Sequence, residues 1–446
     1  MTGLIHEVIP SLVARSARRS LSRLMYFEDE LGTWPPPTVA PDRVRQLYVH
    51  IPFCPHLCPF CTFHRVRFNE ERSASYFAAL RAELVAYREL GYAFTHVYIG
   101  GGTPTSDPAA LRGLLSTLHE LFPVELISVE TNPSDLTDAM LDMLSRAGIQ
   151  RLSVGVQSFD DSILKSMGRF ESYGSSGQII EHIERAQGRF DTFNLDMMFN
   201  LPGQSRDSLQ RDLEVLTRDL DVDQVSYYPL MIAPSAQRSI SLQMGGAQPD
   251  REHEYYELIR STLSASHPPS TVWCFSRGSA AIDEYIVEQH NYIGAGSGAF
   301  SFVDGMMASN TFSIHNYVSQ LQRGTIGVVR TRHLTEEERI RLDFLLKLFG
   351  LSLDKAAAED KFAGRFQKTL WKELLAMRLC GFLKDTGQNL QLTQRGMYLW
   401  VVLMREFLNG VNQLRAAARH QIRAELRELE VIPTAEPMPG QIANHG

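Results

Sequence analysis

The chain is poor in cysteine, with five among 446 residues. The five form no even set of pairs, which argues against a disulfide scaffold and for a reducing, cytoplasmic setting. It also lacks any apolar run of about 18 residues, so no transmembrane span is expected, and it shows no secretory signal. Low-complexity tracts are missing, as expected of a globular protein. Charge of one sign is not concentrated either: 44 Lys and Arg against 51 Asp and Glu leave a net charge of -7. That balance offers no general reason to bind nucleic acid or an anionic membrane. Only the first 25 residues are locally basic, with Arg15, Arg18, Arg19 and Arg23 against Glu7. Such a start can resemble an organellar transit peptide, but Leu4, Ile5, Val8, Ile9, Leu12 and Val13 recur at helical spacing. They predict an N-terminal helix that packs on the core.

Three of the five cysteines, Cys54, Cys58 and Cys61, fall in one C-x3-C-x2-C run directly after the apolar segment Leu47–Phe53. Clustered thiolates suit zinc or an iron–sulfur cluster. Structural zinc favours four ligands in two paired elements. Here Cys274 and Cys380 stand alone and no second pair exists. Three ligands on one loop therefore point to a [4Fe–4S] cluster with one iron left open to something other than protein.

From residue 47 onward, short β-rich runs alternate with helical patterns. The runs are Leu47–Ile51, His96–Ile99, Leu126–Glu130, Arg151–Val156, Phe193–Met198 and Gln224–Leu230. Helices are predicted near 72–90, 107–121, 137–147, 160–166, 174–188 and 205–219, with Asp107-Pro108 as one start and Gly91 and Gly148 as stops. Six alternations imply parallel strands joined by right-handed crossovers, in a doubly wound sheet or an incomplete barrel. In either, chemistry gathers at the carboxyl ends of strands. The motifs sit there: Gly100-Gly101-Gly102-Thr103-Pro104, Glu130-Thr131-Asn132-Pro133, Gln157 and Asp196.

Beyond residue 232 the alternation weakens. A helix near 250–265, a β-rich Thr271–Phe275 and a Gly-rich 292–300 follow. Helices near 335–349 and 363–379 then lead into Gly381–Leu383 and Leu390–Thr393, a winged-helix-like pattern. The last helix candidate, 411–430, is strongly charged and expected to face solvent, and 431–446 reads as a loose tail. Five segments are expected: 1–45 as helix and extended linker, 46–235 as the core, 236–332 as a connecting region, 333–405 as the winged-helix-like unit, and 406–446 as a helical tail.

The cysteine spacing after a strand, with Tyr48-Val-His50-Ile-Pro-Phe-Cys54, resembles the radical SAM (S-adenosylmethionine) superfamily. Within it, the string is similar to the subgroup of oxygen-independent coproporphyrinogen III dehydrogenase and the HemW-type heme chaperone. The resemblance implies a partial (β/α)6 barrel, α/β in class, with a C-terminal HemN-like helical and winged-helix domain that caps without binding DNA. It implies that Cys54, Cys58 and Cys61 hold the cluster and that SAM's amine and carboxylate chelate the open iron. Gly101, Gly102 and Thr103 would meet the methionyl amine. Glu130, Gln157, Arg169 and Asp196 would contact the bound SAM, holding its carboxylate and ribose hydroxyls. Tyr48 and His50 would sit beside the cluster, and Phe60 and Phe63 would shield it from water.

The implied chemistry is reductive cleavage of SAM to a 5′-deoxyadenosyl radical, with an electron from flavodoxin or ferredoxin. The dehydrogenase carries a further cysteine where this chain has Phe63. The chaperone's heme-binding stretch carries a Tyr-Trp pair, absent from Gln289-His290-Asn291-Tyr292-Ile293-Gly294; His290 as a heme ligand is the weaker expectation. These departures favour a HemN-like (class C) methyltransferase. It would act on an sp2 carbon of a flat, unsaturated substrate such as a quinone, a porphyrin-like ring or a heteroaromatic group. A second SAM would then bind near Gly296, Gly298 and Ala299. Tyr227, Tyr228 and Met231 are candidate substrate contacts, and Asn200 stands where many relatives carry glycine. A monomer is expected.

Overall fold

The computed structural model describes residues 34–35, 40–232, 234–245, 251–278 and 291–428. The N-terminal helix candidate, His290 and the 431–446 tail lie outside the described residues.

The described strands, in chain order, are β1 (Gln46–Ile51), β2 (Phe53–Cys54), β3 (Val66–Arg67), β4 (His96–Gly101), β5 (Leu126–Thr131), β6 (Arg151–Gln157), β7 (Thr192–Phe199) and β8 (Gln224–Pro229). They continue with β9 (Cys274–Ser276), β10 (Tyr292–Ala295), β11 (Phe300–Val303), β12 (Met306–Asn310), β13 (Val328–His333), β14 (Ser352–Asp354), β15 (Leu383–Asp385) and β16 (Asn389–Leu392). Helices α1 (Glu70–Glu89), α2 (Pro108–Leu121), α3 (Asp138–Arg146), α4 (Asp161–Ser166), α5 (Phe170–Tyr173), α6 (Ser176–Ala186) and α7 (Arg206–Glu214) fall between the first eight strands. Their starts are chemically marked. Asn69 accepts from the Arg72 amide, Asp107 accepts from the Ala110 amide ahead of Pro108, and Ser175 with Gln178 closes a capping box. Gly91 and Gly148 take positive φ at helix ends. Past Glu214 the last of these helices loosens into a π-helical turn over Val215–Asp219.

One sheet of eleven strands organises the molecule, in the order β13-β12-β11-β10-β1-β4-β5-β6-β7-β8-β9. Strands β1 and β4 to β8 pair in parallel, the six-strand α/β core that a partial barrel requires. Apolar and polar side chains alternate along them: Leu47, Val49, Val97, Ile127, Val129, Leu152 and Leu195 belong to the main apolar core, while Tyr48, His50, Ser128, Glu130, Ser153, Asn194 and Asp196 take the alternate positions. The Gly-rich 292–300 stretch supplies a seventh parallel strand: β10 lies along β1, with Gln46 opposite Tyr292 and Val49 opposite Ala295. Strands β11 to β13 then extend the sheet antiparallel, and β9 closes the far edge against β8. Helices α8 (Pro234–Gln243) and α9 (Glu252–Leu263) precede β9, and α10 (Ile314–Gln322) precedes β13.

The C-terminal unit holds α11 (Glu336–Phe349), α12 (Lys355–Lys361), α13 (Phe366–Thr369), α14 (Trp371–Leu379), α15 (Gln394–Gln421) and α16 (Arg423–Glu428). Its sheet has three strands, β14-β16-β15, rather than the two expected. The helix predicted over 363–379 is divided between α13 and α14. The helix expected over 411–430 is the far part of α15, which begins at Gln394 and runs unbroken to Gln421. Over 411–421 it is mostly half-buried or exposed, as expected, and it is the earlier part that is buried. Leu399, Trp400, Val401, Val402, Leu403 and Met404 are all buried on it. A helix that is apolar all round shows no one-sided period, so its first half carried no helical signature. No helix among the described residues is long and apolar enough to cross a membrane.

Candidate functional site

The cysteine loop leaves β1 and is closed by its own short strands, since β2 pairs with β3 so that Cys54 faces Arg67. Arg65 shapes it from within. Its guanidinium donates to the carbonyl oxygens of Cys58 and, at 3.1 Å, of Cys61. Behind the loop, Phe60, Ile163, Met167, Met198, Leu201 and Leu230 form a separate apolar cluster with Cys58. Among the described residues no three His, Cys, Asp or Glu side chains converge tightly enough to hold one metal ion. The three thiols instead border a cavity, as suits a cluster that takes each thiolate on a different iron. Burial pushes the Cys54 thiol up to about 12, a cost that a bound iron reverses.

That cavity measures about 430 Å³. Its floor is the carboxyl end of the parallel strands, and it gathers Cys54, Cys58, Cys61, Tyr48, His50, Phe60, Gly101, Gly102, Thr103, Glu130, Gln157, Arg169 and Asp196. These thirteen residues, all picked out from sequence, therefore line one space, and Gly298 joins them.

The glycines are required by their neighbours. A Cβ on Gly101, whose φ is +114°, would lie 2.5 Å from the His50 ring, and one on Gly102 would lie 2.6 Å from the Phe53 carbonyl. Their amides are already committed: Gly101 N–H donates to Glu130 Oε2 at 3.0 Å and Gly102 N–H to the Ile51 carbonyl at 2.7 Å. Glu130 is further fixed by Tyr98, whose hydroxyl donates to Oε1 at 2.9 Å.

His50 has a defined tautomer. Its Nε2 is 2.8 Å from the His64 carbonyl, which can only accept, so Nε2 carries the proton. Nδ1 then accepts from the Tyr48 hydroxyl at 2.9 Å. Burial, reinforced by the Arg415 charge, lowers His50 to about 4 and keeps the ring neutral. Burial first, then Glu130, raises Tyr48 far above the usual phenol range.

Arg169 is almost fully buried, at 3% exposure. Nη1 lies 3.6 Å from Cys58 Sγ, while Nη2 donates to Asn132 Oδ1 at 3.1 Å and to the Gly155 carbonyl at 2.5 Å. The Nε atoms of both Arg65 and Arg169 are buried without a hydrogen-bond partner. Two buried guanidiniums with unused donors beside three thiols fit an anionic iron–sulfur group and a carboxylate ligand. Asn132 also donates to Thr103 Oγ1 at 2.8 Å, and Thr103 in turn reaches Cys54 Sγ at 3.6 Å. At the next strand ends, Gln157 is held at φ 78°, a strained setting for a residue with a side chain. Asp196 accepts from Ser153 and Asn194, each at 2.8 Å. Asn200 takes φ 61°, a left-handed conformation that asparagine tolerates where glycine is the easier choice.

Some expectations need correcting. Gly296 and Ala299 do not line the cavity. Gly296 points its amide at Glu83 Oε2, 2.8 Å away, and Ala299 is buried in the sheet junction. Tyr227 is packed in the core, whereas Tyr228 and Met231 do face the cavity. Phe63 lines the cavity but is 42% exposed, so it shields less than Phe60 does. Asn132 was named only as part of its strand-end motif, and Arg65, Tyr98 and Tyr173 were missed because nothing in their spacing sets them apart. Missed for the same reason was the C-terminal wall, formed by Leu342, Leu346, Phe407, Leu408, Val411, Asn412 and Arg415.

Residues 48–216 match the family model of the radical SAM superfamily. The chain is 28% identical to the heme chaperone HemW of Bacillus subtilis over 73% of its own length and 88% of that protein's. It is 27% identical to the oxygen-independent coproporphyrinogen III oxidase of Escherichia coli, over 80% and 84% respectively. Among solved structures, coproporphyrinogen III oxidase (HemN) of Escherichia coli superposes with a TM-score of 0.73 at 23% identity, covering 86% of this chain and 95% of that one. The strand-end geometry and these matches agree: the chain carries a radical SAM domain over residues 48–216, has HemW- and HemN-type proteins among its homologues, and shares the HemN fold.

Proposed function

We propose that this protein is a [4Fe–4S] radical SAM enzyme acting on a flat, unsaturated, largely apolar substrate of tetrapyrrole type. One observation carries the reading. A single cavity runs from the three cysteines to an apolar wall that includes Met231, Phe302, Met307, Leu346 and Phe407. Radical chemistry needs a reacting substrate beside the cofactor and shielded from water, and this arrangement suits it.

Cys54, Cys58 and Cys61 would hold the cluster, with SAM seated over Gly101, Gly102, Glu130, Gln157 and Asp196. When bound and given an electron by a flavodoxin or ferredoxin, this pair supplies a 5′-deoxyadenosyl radical able to take a hydrogen atom. The protein's part is positional. Arg169 sets a fixed positive charge beside Cys58, Tyr98 and the Gly101 amide aim Glu130, and neutral His50 orients the Tyr48 hydroxyl without releasing a proton into the site.

Methyl transfer from a second SAM draws little support from the cavity, since Gly298 is the sole residue of the expected trio on its lining. A heme-holding role is the second reading, favoured by relatives that are heme chaperones and that align over most of their length. The two readings separate cleanly. The anaerobically reconstituted protein, given dithionite and SAM, should release 5′-deoxyadenosine, faster when a tetrapyrrole substrate is present. Tight one-to-one heme binding with no such release would establish the chaperone reading instead.

A further inference from the structure

Helix α15 turns one face to the cavity through Phe407, Leu408, Val411, Asn412 and Arg415. Steps of four along this series place them on one side of a helix. Among the described lining residues that follow Asp196 in the chain, Arg415 is the single charged one. The other charges, Arg65, Glu130, Arg169 and Asp196, belong to the cofactor end.

Arg415 is held rather than loose. Its Nη1 donates to Asn412 Oδ1 at 3.0 Å. Its Cζ lies 4.8 Å from the Phe63 ring centre and 5.8 Å from that of Phe300. One turn further, Arg419 donates to the Phe63 carbonyl at 3.1 Å, pinning the same helix to the cysteine loop. A guanidinium set against aromatic faces keeps its plane and its fork of donors oriented. A guanidinium fork matches a carboxylate or a phosphate, and on a wall otherwise apolar, facing a flat ligand of tetrapyrrole type, the carboxylate is the group it would meet.

We propose that Arg415 is the specificity residue of the substrate half of the cavity, recognising a carboxylate on an otherwise flat and apolar ligand. Asn412 and Phe63 orient its guanidinium. Phe63 thereby has a task of its own: it is the platform on which the recognising cation rests. The inference depends on the flat-ligand reading above.

The test titrates the anaerobically reconstituted full chain with mesoporphyrin IX and, separately, with its dimethyl ester, following porphyrin fluorescence. The two probes share a ring and differ in two carboxylates. The native protein should bind the acid about tenfold more tightly than the ester, the range expected for a charge-assisted pair. R415Q should bring the two within about twofold by weakening the acid alone. R415K, which keeps the charge and loses the fork, should fall between them and guards against a folding defect in R415Q. Equal binding of acid and ester by the native protein, or an R415Q that weakens both alike, overturns the role of Arg415 and leaves the flat-ligand reading standing. Failure of the native protein to bind either probe overturns both.

Discussion

Glu83 offers the most demanding test of how the cofactor end is built. It sits on α1, fully buried, and accepts three hydrogen bonds: from the Gly296 amide at 2.8 Å, Asn310 Nδ2 at 3.0 Å and the Tyr317 hydroxyl at 2.5 Å. Tyr76 ties this group to the active strand, since its hydroxyl donates to the His50 carbonyl at 2.7 Å and accepts from the Ser297 amide at 2.9 Å. Glu83→Ala orphans three buried donors, each costing roughly 1–3 kcal/mol, so a loss of about 3–9 kcal/mol is expected. Glu83→Gln keeps one acceptor in place and lets Tyr317 reverse its role, leaving the Gly296 amide as the main loss, about 1–2 kcal/mol. Burial raises Glu83 to about 7 against the pull of its donors. A carboxyl raised in the folded state stabilises fully below its unfolded value near 4, and that contribution disappears as pH climbs through about 7. Urea titrations between pH 5 and 8 should therefore show native stability falling with pH, with a gentler slope in Glu83→Gln. Parallel pH slopes for the two proteins, or an Ala variant within about 0.5 kcal/mol of native, would refute the network's role.

Arg169→Lys cannot span Cys58, Asn132 and Gly155 together. Iron content after reconstitution should stay near native while SAM affinity drops about tenfold or more, measured by equilibrium dialysis. Asp212, also raised to about 7 by burial, accepts from the Phe159 amide at 2.8 Å and the Ser158 hydroxyl at 2.9 Å, holding the turn just after strained Gln157. Asp212→Asn should cost roughly 1–3 kcal/mol, weaken SAM binding, and flatten the stability decline between about pH 4 and 7. Gly101→Ala combines a positive φ with a collision against His50. It should cost roughly 2–6 kcal/mol in urea titration and lower the iron retained after reconstitution.

The parallel core was legible because each level of the sequence agreed. Cap residues, helical periods and strand runs of Val, Ile and Leu pointed to the same boundaries, and the six strands fall within a residue or two of their expected limits. The site was legible where a residue's type is costly without a purpose, as with three close cysteines, a glycine triplet, or a carboxylate ending an apolar strand. It was opaque where the partner comes from far along the chain. Gly296 reads as a ligand-approach glycine until Glu83, more than two hundred residues earlier, is seen to occupy its amide. The positive φ of Gln157 has no local signal, whereas that of Asn200 was foreshadowed by a residue that tolerates the left-handed region standing where many relatives carry glycine.

Phe63 shows how far such long-range partners change the meaning of a residue. Its position marks it first by what it is not, a further cysteine. In the folded chain its carbonyl receives Arg419 and its ring receives Arg415, both from a helix some 350 residues away in sequence. The cysteine loop is thus joined by two cations to the helix that forms the opposite wall. Burial, with Arg65 nearby, lowers Arg419 to about 10, still charged at neutral pH, so the clasp persists under working conditions. A thiol at position 63 would offer neither ring face nor platform, and α15 would lose the stacking that aims Arg415 into the cavity. Substrate choice and cofactor loop are on this view one assembly, in which the identity of residue 63 sets the orientation of the residue that reads the ligand.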